Sequence, residues 1–462
     1  MKNDDVLGDA LHHARAWMSS LEDWPVRPTA SLETLRAALD RPLSERGEDP
    51  RSILASLARD GAPGLMATRG PRFFGFVIGG SYPVALAADW LTSTWDQNAA
   101  LHVLSPTVAV LEETAGRWMC ELLGLPTASG VGFVTGCQMA NFTGLACARS
   151  ALLNRAGWDV GKNGLYGAPE LHVVVGEEAH VTVVRALRFL GLGQARVKQV
   201  RADGQGRMDP GALEAVLAHC HGPTLVCLQA GNINSGAIDP MEPLISAAHA
   251  RGAWVHVDGA FGLWAAASPR TRPLIRGVEA ADSWALDAHK WLNVPYDSGV
   301  VIVRDRDVLR ATMGTEASYL VRSNGLRDGV DYGPEFSRRG RGVPVYAVLR
   351  ALGRSGVEQL VDRCCALARR FAERLDRAPG VEVINDVVLN QVLVRFQPPG
   401  GGDADAFTQA VVARVQEDGT CWLGGSLWKG RQVMRISVSG WNTSEDDVDR
   451  SVEVILRCAA RP

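Results

Sequence analysis

The sequence has little with which to hold a nucleic acid or an anionic membrane: 48 lysines and arginines stand against 51 aspartates and glutamates, a net charge of −3. Without a basic excess there is nothing to neutralise a phosphate backbone or a lipid surface, so neither is expected as a partner. Nine cysteines lie scattered at 120, 137, 147, 220, 227, 364, 365, 421 and 458 and form no CxxC pair. That spacing excludes a disulfide framework, implies no metal centre and suits the reduced thiols of a cytosol. No run of 18 apolar residues occurs, so no membrane span is expected. The first thirty residues carry Asp4, Asp5, Asp9, Glu22 and Asp23 and no apolar stretch, so no secretory leader is expected and a cytoplasmic location follows. No solenoid repeat is present, and the tract Pro398-Pro-Gly-Gly-Gly402 reads as a surface loop.

What is present is enough for a large folded enzyme. Across 462 residues, 46% hydrophobic and 21% charged, the composition is that of a globular chain able to bury a sizeable core. Residues 1–65 read as a helical arm, with apolar positions at helical spacing in 31–40. From 66 to about 345, short β-branched runs at 171–175, 224–228, 254–257, 283–286 and 300–303 alternate with helical stretches such as 210–218 and 240–250. That alternation predicts an α/β layer structure with a mostly parallel central sheet flanked by helices. Residues 346–462 read as a smaller α+β domain, with a long helix to 377, strands at 391–396 and 432–438, and helices at 404–417 and 444–458.

In open α/β sheets, ligands bind beyond the carboxyl ends of the strands, so the residues just after each run are where chemistry belongs. Four such places stand out. Asp287-Ala-His-Lys290-Trp follows one apolar run, and lysine is the side chain that condenses with an aldehyde. His256-Val-Asp258-Gly-Ala260 puts a carboxylate where it could keep a pyridine nitrogen protonated, with the small Ala260 beside it. Val175-Gly-Glu-Glu-Ala-His180 ends in an imidazole able to stack on a flat ring. Gly132-Phe-Val-Thr-Gly136-Cys-Gln-Met-Ala-Asn141 is a strand, a glycine turn and a helix start, which can cradle a phosphate. A lone lysine, aspartate, histidine or glycine turn is ordinarily structural. The four together, in order along an α/β chain, supply the separate parts of one cofactor site.

These residues resemble the group II pyridoxal-phosphate-dependent decarboxylases, of the glutamate, histidine and aromatic-amino-acid type, within the aspartate-aminotransferase fold. The resemblance runs from Pro71-Arg-Phe-Phe-Gly75 to Gly353, more weakly to the C-terminus, and is most specific over 256–290. It implies fold type I, pyridoxal 5′-phosphate as cofactor, and decarboxylation of an L-amino acid to an amine. By that resemblance Lys290 bonds to the cofactor aldehyde, Asp258 faces the pyridine nitrogen and His180 stacks on the ring. Thr135, Gly136, Cys137 and Gln138 match the phosphate loop, His289 lies near the phosphate, and Asn232 matches a position near the ring that often holds threonine. Cys137 stands where the family usually has a second glycine, and Gln138 where it has Ser or Thr.

Tyr319, 29 residues beyond Lys290, matches the tyrosine that returns a proton to the substrate carbon; aldehyde synthases of the family have phenylalanine there. Phe76, Trp95, Asn98, Ala100 and His102 match the side-chain pocket, the last four lying against a neighbouring subunit in a homodimer with shared active sites. Phe76 and Trp95 suit an aromatic substrate; Ala100 and the polar Asn98 and His102 do not specify one. An aminotransferase, a decarboxylation-coupled aldehyde synthase and a non-catalytic binding protein of the same fold remain alternatives at this stage.

Overall fold

A computed structural model describes residues 3–316 and 325–461. The chain divides into two compact units, one of residues 1–78, 370–383 and 394–462, the other of residues 79–369 and 384–393.

The larger unit is built on a seven-stranded sheet: β1 (Gly130–Val134), β2 (His172–Gly176), β3 (Val197–Val200), β4 (Thr224–Gln229), β5 (Trp254–Asp258), β6 (Ser283–Asp287) and β7 (Gly299–Val303). Their spatial order is β1-β7-β6-β5-β4-β2-β3. The pairs β2–β3, β2–β4, β4–β5 and β5–β6 are parallel, while β7 runs antiparallel to both β6 and β1. The mostly parallel sheet expected from the sequence is therefore present, and β3, which was not among the expected runs, extends its edge. Strands β1, β5, β6 and β7 are buried at every position, as a sheet covered on both faces requires. Their apolar runs are accordingly continuous instead of alternating. Gly299 opens β7 because a Cβ there would fall 2.4 Å from the Gly136 backbone, which brings the β7 start and the β1 turn together.

One buried ion-pair cluster pins the helix Pro106–Leu123 to the segment 327–338. Arg338 grips Glu112 through both guanidinium nitrogens at 2.7 Å, and Arg327 adds a third contact at 3.3 Å. Glu112 is 1% exposed, so its charge depends on these partners.

A four-stranded sheet is formed by β8 (Val381–Val383), β9 (Gln391–Phe396), β10 (Gly424–Trp428) and β11 (Arg431–Ser437), ordered β10-β11-β9-β8; apart from residues 391–393 of β9 it belongs to the smaller unit. Its helices Asn3–Ser20, Leu32–Leu39 and Pro50–Gly61 make up the N-terminal helical segment. Ser31 caps the second of them by accepting from Thr34 N. This segment does not stand apart within its unit: Val26 N donates to Gly419 O at 2.8 Å, and the buried Arg72, paired with Asp447 at 3.0 Å, donates to Glu22 O at 2.6 Å. No helix among the described residues is long and apolar enough to cross a membrane.

Candidate active site

The carboxyl ends of β5 and β6 each deliver a carboxylate. Asp258 ends β5 and Asp287 ends β6, 3% and 2% exposed. The first accepts from Ala260 N at 3.2 Å and from the Cys137 thiol at 3.5 Å through Oδ1, and from Asn141 Nδ2 at 3.3 Å through Oδ2. Asp287 accepts from Cys137 N at 2.5 Å and lies 3.2 Å from Lys290 Nζ. Cys137 begins the 19-residue helix that follows β1, so its N–H belongs to the positive end of a helix dipole. Around this one helix terminus gather Asp258, Asp287, Lys290 and the turn residues Thr135 and Gly136.

Electrostatics follow from that packing. Burial works against a charge on Lys290, but Asp287, seconded by Asp258, outweighs it and holds the amine above the ordinary lysine value. Burial, reinforced by both aspartates, pushes the Cys137 thiol well above its ordinary value, so it stays protonated. Burial lowers His289 despite the opposing pull of Asp287. His289 Nδ1 meets the Ser298 carbonyl at 2.9 Å, and its ring packs on Tyr296 with centroids 4.3 Å apart. Gly79 passes so close that a Cβ would overlap the Lys290 carbonyl.

His180 caps the helix Val181–Phe189; its Nδ1 lies 2.7 Å from Thr182 Oγ1 and accepts from Thr182 N at 3.4 Å. Gln138 Nε2 donates to the Thr182 carbonyl at 3.2 Å, and Asn141 Nδ2 reaches Thr182 Oγ1 at 3.4 Å. The His180 turn is thereby tied to the Cys137 helix. Asn232, 1% exposed, donates to Glu178 O at 3.5 Å and to Gln229 Oε1 at 3.1 Å. Its own oxygen accepts from Asn234 N and Ser235 N, so this side chain closes a turn.

The residues matched to a side-chain pocket have contacts of their own. Asn98 accepts from Ala100 N and Arg338 N and donates to Ser337 Oγ, His102 N donates to Asp328, and Ala100 is fully buried. Trp95, at the end of the helix Pro83–Trp95, is 42% exposed. Phe76 belongs to the smaller unit, where it stacks on Trp422 at 5.7 Å. Tyr319 lies outside the described residues.

Three members of the cluster carried no role in the sequence reading: Asp287, Asn141 and His256. Each had a spacing signal. Asp287 stands three residues before Lys290; His256 stands two before Asp258, hence on the same side of β5; Asn141 stands one helical turn beyond Cys137.

A lysine and two buried carboxylates at strand ends, beside a helix N-terminus, on a seven-stranded mostly parallel sheet, define a fold type I pyridoxal-phosphate enzyme. The crystal structure of Oryza sativa TDC with PLP and tryptamine shares this fold, with a TM-score of 0.93, 24% identity, and coverage of 99% of this chain and 98% of that one. The crystal structure of mouse CSAD gives 0.90 at 25% identity, over 99% and 98% of the two chains. The sequence profile of the pyridoxal-dependent decarboxylase conserved domain matches residues 33–397, and the chain belongs to that family. It is 28% identical over 454 residues to the aromatic-L-amino-acid decarboxylase of Bacillus atrophaeus, covering 96% of this chain and 91% of that protein. It is 30% identical over 376 residues to the cysteine sulfinic acid decarboxylase of Mus musculus, covering 79% and 75%. The protein is thus a pyridoxal-phosphate-dependent amino-acid decarboxylase.

The residues present fit that cofactor. Ser298 Oγ is buried beside the Gly136–Gly299 contact and has no hydrogen-bond partner among the described residues, a ready donor for a phosphate oxygen. A primary amine, a buried carboxylate and a helix N-terminus match the aldehyde, ring nitrogen and phosphate in kind.

Proposed function

We propose that the chain decarboxylates an aromatic L-amino acid to its amine, with Lys290 as the residue that bonds to the cofactor and Asp258 as the partner of its ring nitrogen. The observation that carries the reading is the buried Lys290 amine, 3.2 Å from Asp287, at the end of the strand beside the one that ends in Asp258. When bound, pyridoxal phosphate supplies an electron sink next to the substrate α-carbon. Lys290 would hold the cofactor until substrate arrives, and Asp287, 3.2 Å from its Nζ, stabilises the ammonium form of the amine once it is free. Asp258 is held through Oδ1 and Oδ2 by Ala260 N, Cys137 and Asn141, and would keep the ring nitrogen protonated. Gly136, Cys137 and Gln138 at the helix N-terminus would hold the phosphate, with Ser298, Thr135 and His289 beside them. His180 would stack on the face of the ring, and Asn232 fixes the turn that it closes.

Tyr319 delivers the proton to the α-carbon after carbon dioxide departs, a role supported by its matching the family tyrosine. Trp95 and Phe76 support the aromatic preference, as does likeness to a relative described as an aromatic-L-amino-acid decarboxylase. The enzyme works as a cytoplasmic homodimer with the 95–102 segment at a shared active site. In support, Trp90, Leu91, Trp95, Val103, Leu104 and Val110 are exposed apolar residues from one stretch of chain, more than a lone surface needs. Screening the common amino acids for carbon dioxide release tests the substrate. Release from tryptophan, tyrosine or phenylalanine supports the reading; release confined to glutamate, aspartate or cysteine sulfinate overturns it.

A further inference from the structure

Behind Asp258 and His180 lies a line of buried polar side chains that the reaction itself does not use. The Trp254 indole Nε1 is 2.9 Å from Ser283 Oγ, which is 2.8 Å from His256 Nδ1. His256 Nε2 is 2.9 Å from Asn141 Oδ1. The Asn141 amide nitrogen then forks, at 3.3 Å to Asp258 Oδ2 and at 3.4 Å to Thr182 Oγ1, and Thr182 Oγ1 ends the line 2.7 Å from His180 Nδ1. Ser283, His256 and Asn141 are fully buried, and Trp254 is 2% exposed. Room for the ring is reserved by Gly144, where a Cβ would stand 2.7 Å from His256 Cε1.

The direction of every proton along this line is forced. As the carboxylate its proposed role requires, Asp258 only accepts, so Asn141 turns its N–H bonds to Asp258 and Thr182 and its oxygen to His256 Nε2. Burial pushes His256 down to about 4, so the ring is neutral and its single proton sits on Nε2, facing Asn141. His256 Nδ1 is then bare and accepts the Ser283 hydroxyl proton, while the same serine oxygen accepts from the Trp254 indole. Thr182, accepting from Asn141, gives its proton to His180 Nδ1. The Thr182 backbone N–H, also a donor only, points at the same nitrogen. His180 thus accepts at Nδ1 and carries its proton on Nε2.

We propose that Asn141 is a positioning residue, backed by His256, Ser283 and Trp254, that donates to Asp258 and holds His180 as its Nε2–H tautomer at the same time. The proposal rests on the roles given above to Asp258 and His180. A flipped amide would set its oxygen against the Asp258 carboxylate and remove the donor to Thr182. One amide therefore couples the charge at the ring nitrogen to the proton on the ring face.

Two variants interrupt the line at different places. Asn141→Asp keeps the size but exchanges two donors for acceptors, and Ser283→Ala cuts the line at a residue that touches neither Asp258 nor His180. Three quantities are read on the full-length enzyme: the dissociation constant for pyridoxal phosphate, kcat against KM, and the ring tautomers by 15N NMR of labelled histidine. Asn141→Asp is expected to weaken pyridoxal phosphate binding by about tenfold to a hundredfold, the worth of a hydrogen bond to a charged group, and to lose the Nε2–H signal of His180. Ser283→Ala is expected to lower kcat by roughly threefold to tenfold at unchanged KM, the loss of one neutral hydrogen bond, and to mix the tautomers of His256 and His180. Unchanged binding in Asn141→Asp, or a His180 that stays Nε2–H in both variants, overturns the proposal. Asp258→Asn, measured alongside, separates the two readings. If Asp258→Asn behaves as the unmodified enzyme, the assignment of Asp258 fails; if it is impaired while Asn141→Asp is not, the relay alone fails.

Discussion

Asp287 holds two groups with one carboxylate: Oδ1 accepts from Cys137 N at 2.5 Å, and Oδ2 lies 3.2 Å from Lys290 Nζ. It thereby fixes the distance between a helix N-terminus and a lysine amine across two elements that are 150 residues apart in the chain. Asp287→Asn keeps the shape and can still accept from Cys137 N, but removes the charge that raises the Lys290 amine. The rate at which apoenzyme bonds to pyridoxal aldehyde should then extend to lower pH, because the lysine loses its proton more readily. An unshifted pH profile for that bond formation would show that Asp287 does not control Lys290.

Asp258→Asn removes the charge assigned to the ring nitrogen while leaving a side chain of the same size. Turnover should fall on the order of a hundredfold or more, comparable to deleting one preorganised electrostatic group. The carbon dioxide release rate measures it, and a near-normal rate would remove Asp258 from that role.

Tyr319→Phe should leave cofactor binding and carbon dioxide loss in place while slowing amine formation. Product analysis on one accepted substrate in air should then show aldehyde and ammonia, with dissolved oxygen reduced to peroxide, gaining at the expense of amine. An unchanged amine yield would pass the proton-delivery role to His180.

Glu112 is the stability test. Replacing it by alanine leaves Arg338 and Arg327 buried without their counter-charge, which should cost about 3–5 kcal/mol. Denaturant titration of Glu112→Ala against the unmodified protein measures the loss; a change under about 1 kcal/mol would mean that the cluster relaxes into solvent.

His256 gives a pH dependence with a definite sign. Its folded value, about 4, lies below the ordinary 6.5, so the unfolded chain binds a proton that the folded one refuses between those limits. This group therefore costs nothing above pH 6.5 and destabilises the fold progressively as pH falls toward 4, by on the order of 3 kcal/mol in all. Asp239 acts oppositely: burial raises it from 3.8 to about 6, so the folded state gains as pH falls through 6. The comparison with His256→Gln isolates the histidine, since Asp239 is common to both. The variant should lose less stability than the unmodified enzyme between pH 6.5 and 4; parallel curves would show that His256 takes up its proton without unfolding.

Much of this was legible in the sequence because strand ends are legible. The run before Asp258 carries Val255 and Val257 and the run before Asp287 carries Trp284, Ala285 and Leu286, and a strand buried on both faces must be apolar; the chemistry-bearing residues follow directly. The family resemblance and the mostly parallel sheet were readable on the same ground. The short strands β3, β8 and β10 were not, being three to five residues long with exposed or partly exposed positions. Nor was the antiparallel insertion of β7 between β1 and β6, which depends on pairing across 165 residues and more. The polar line through His256 was hidden for a related reason. Its partner Ser283 is the residue that the β5–β6 register sets opposite His256, and register is a property of the folded sheet.

The central claim is that Lys290 carries the cofactor in a decarboxylase, and chemical trapping tests it most directly. Borohydride reduction of the holoenzyme, followed by proteolysis and mass spectrometry, should place a phosphopyridoxyl group on the peptide containing Lys290, and Lys290→Ala should lose both that adduct and carbon dioxide release. An adduct on another lysine, or turnover retained in Lys290→Ala, would contradict the account.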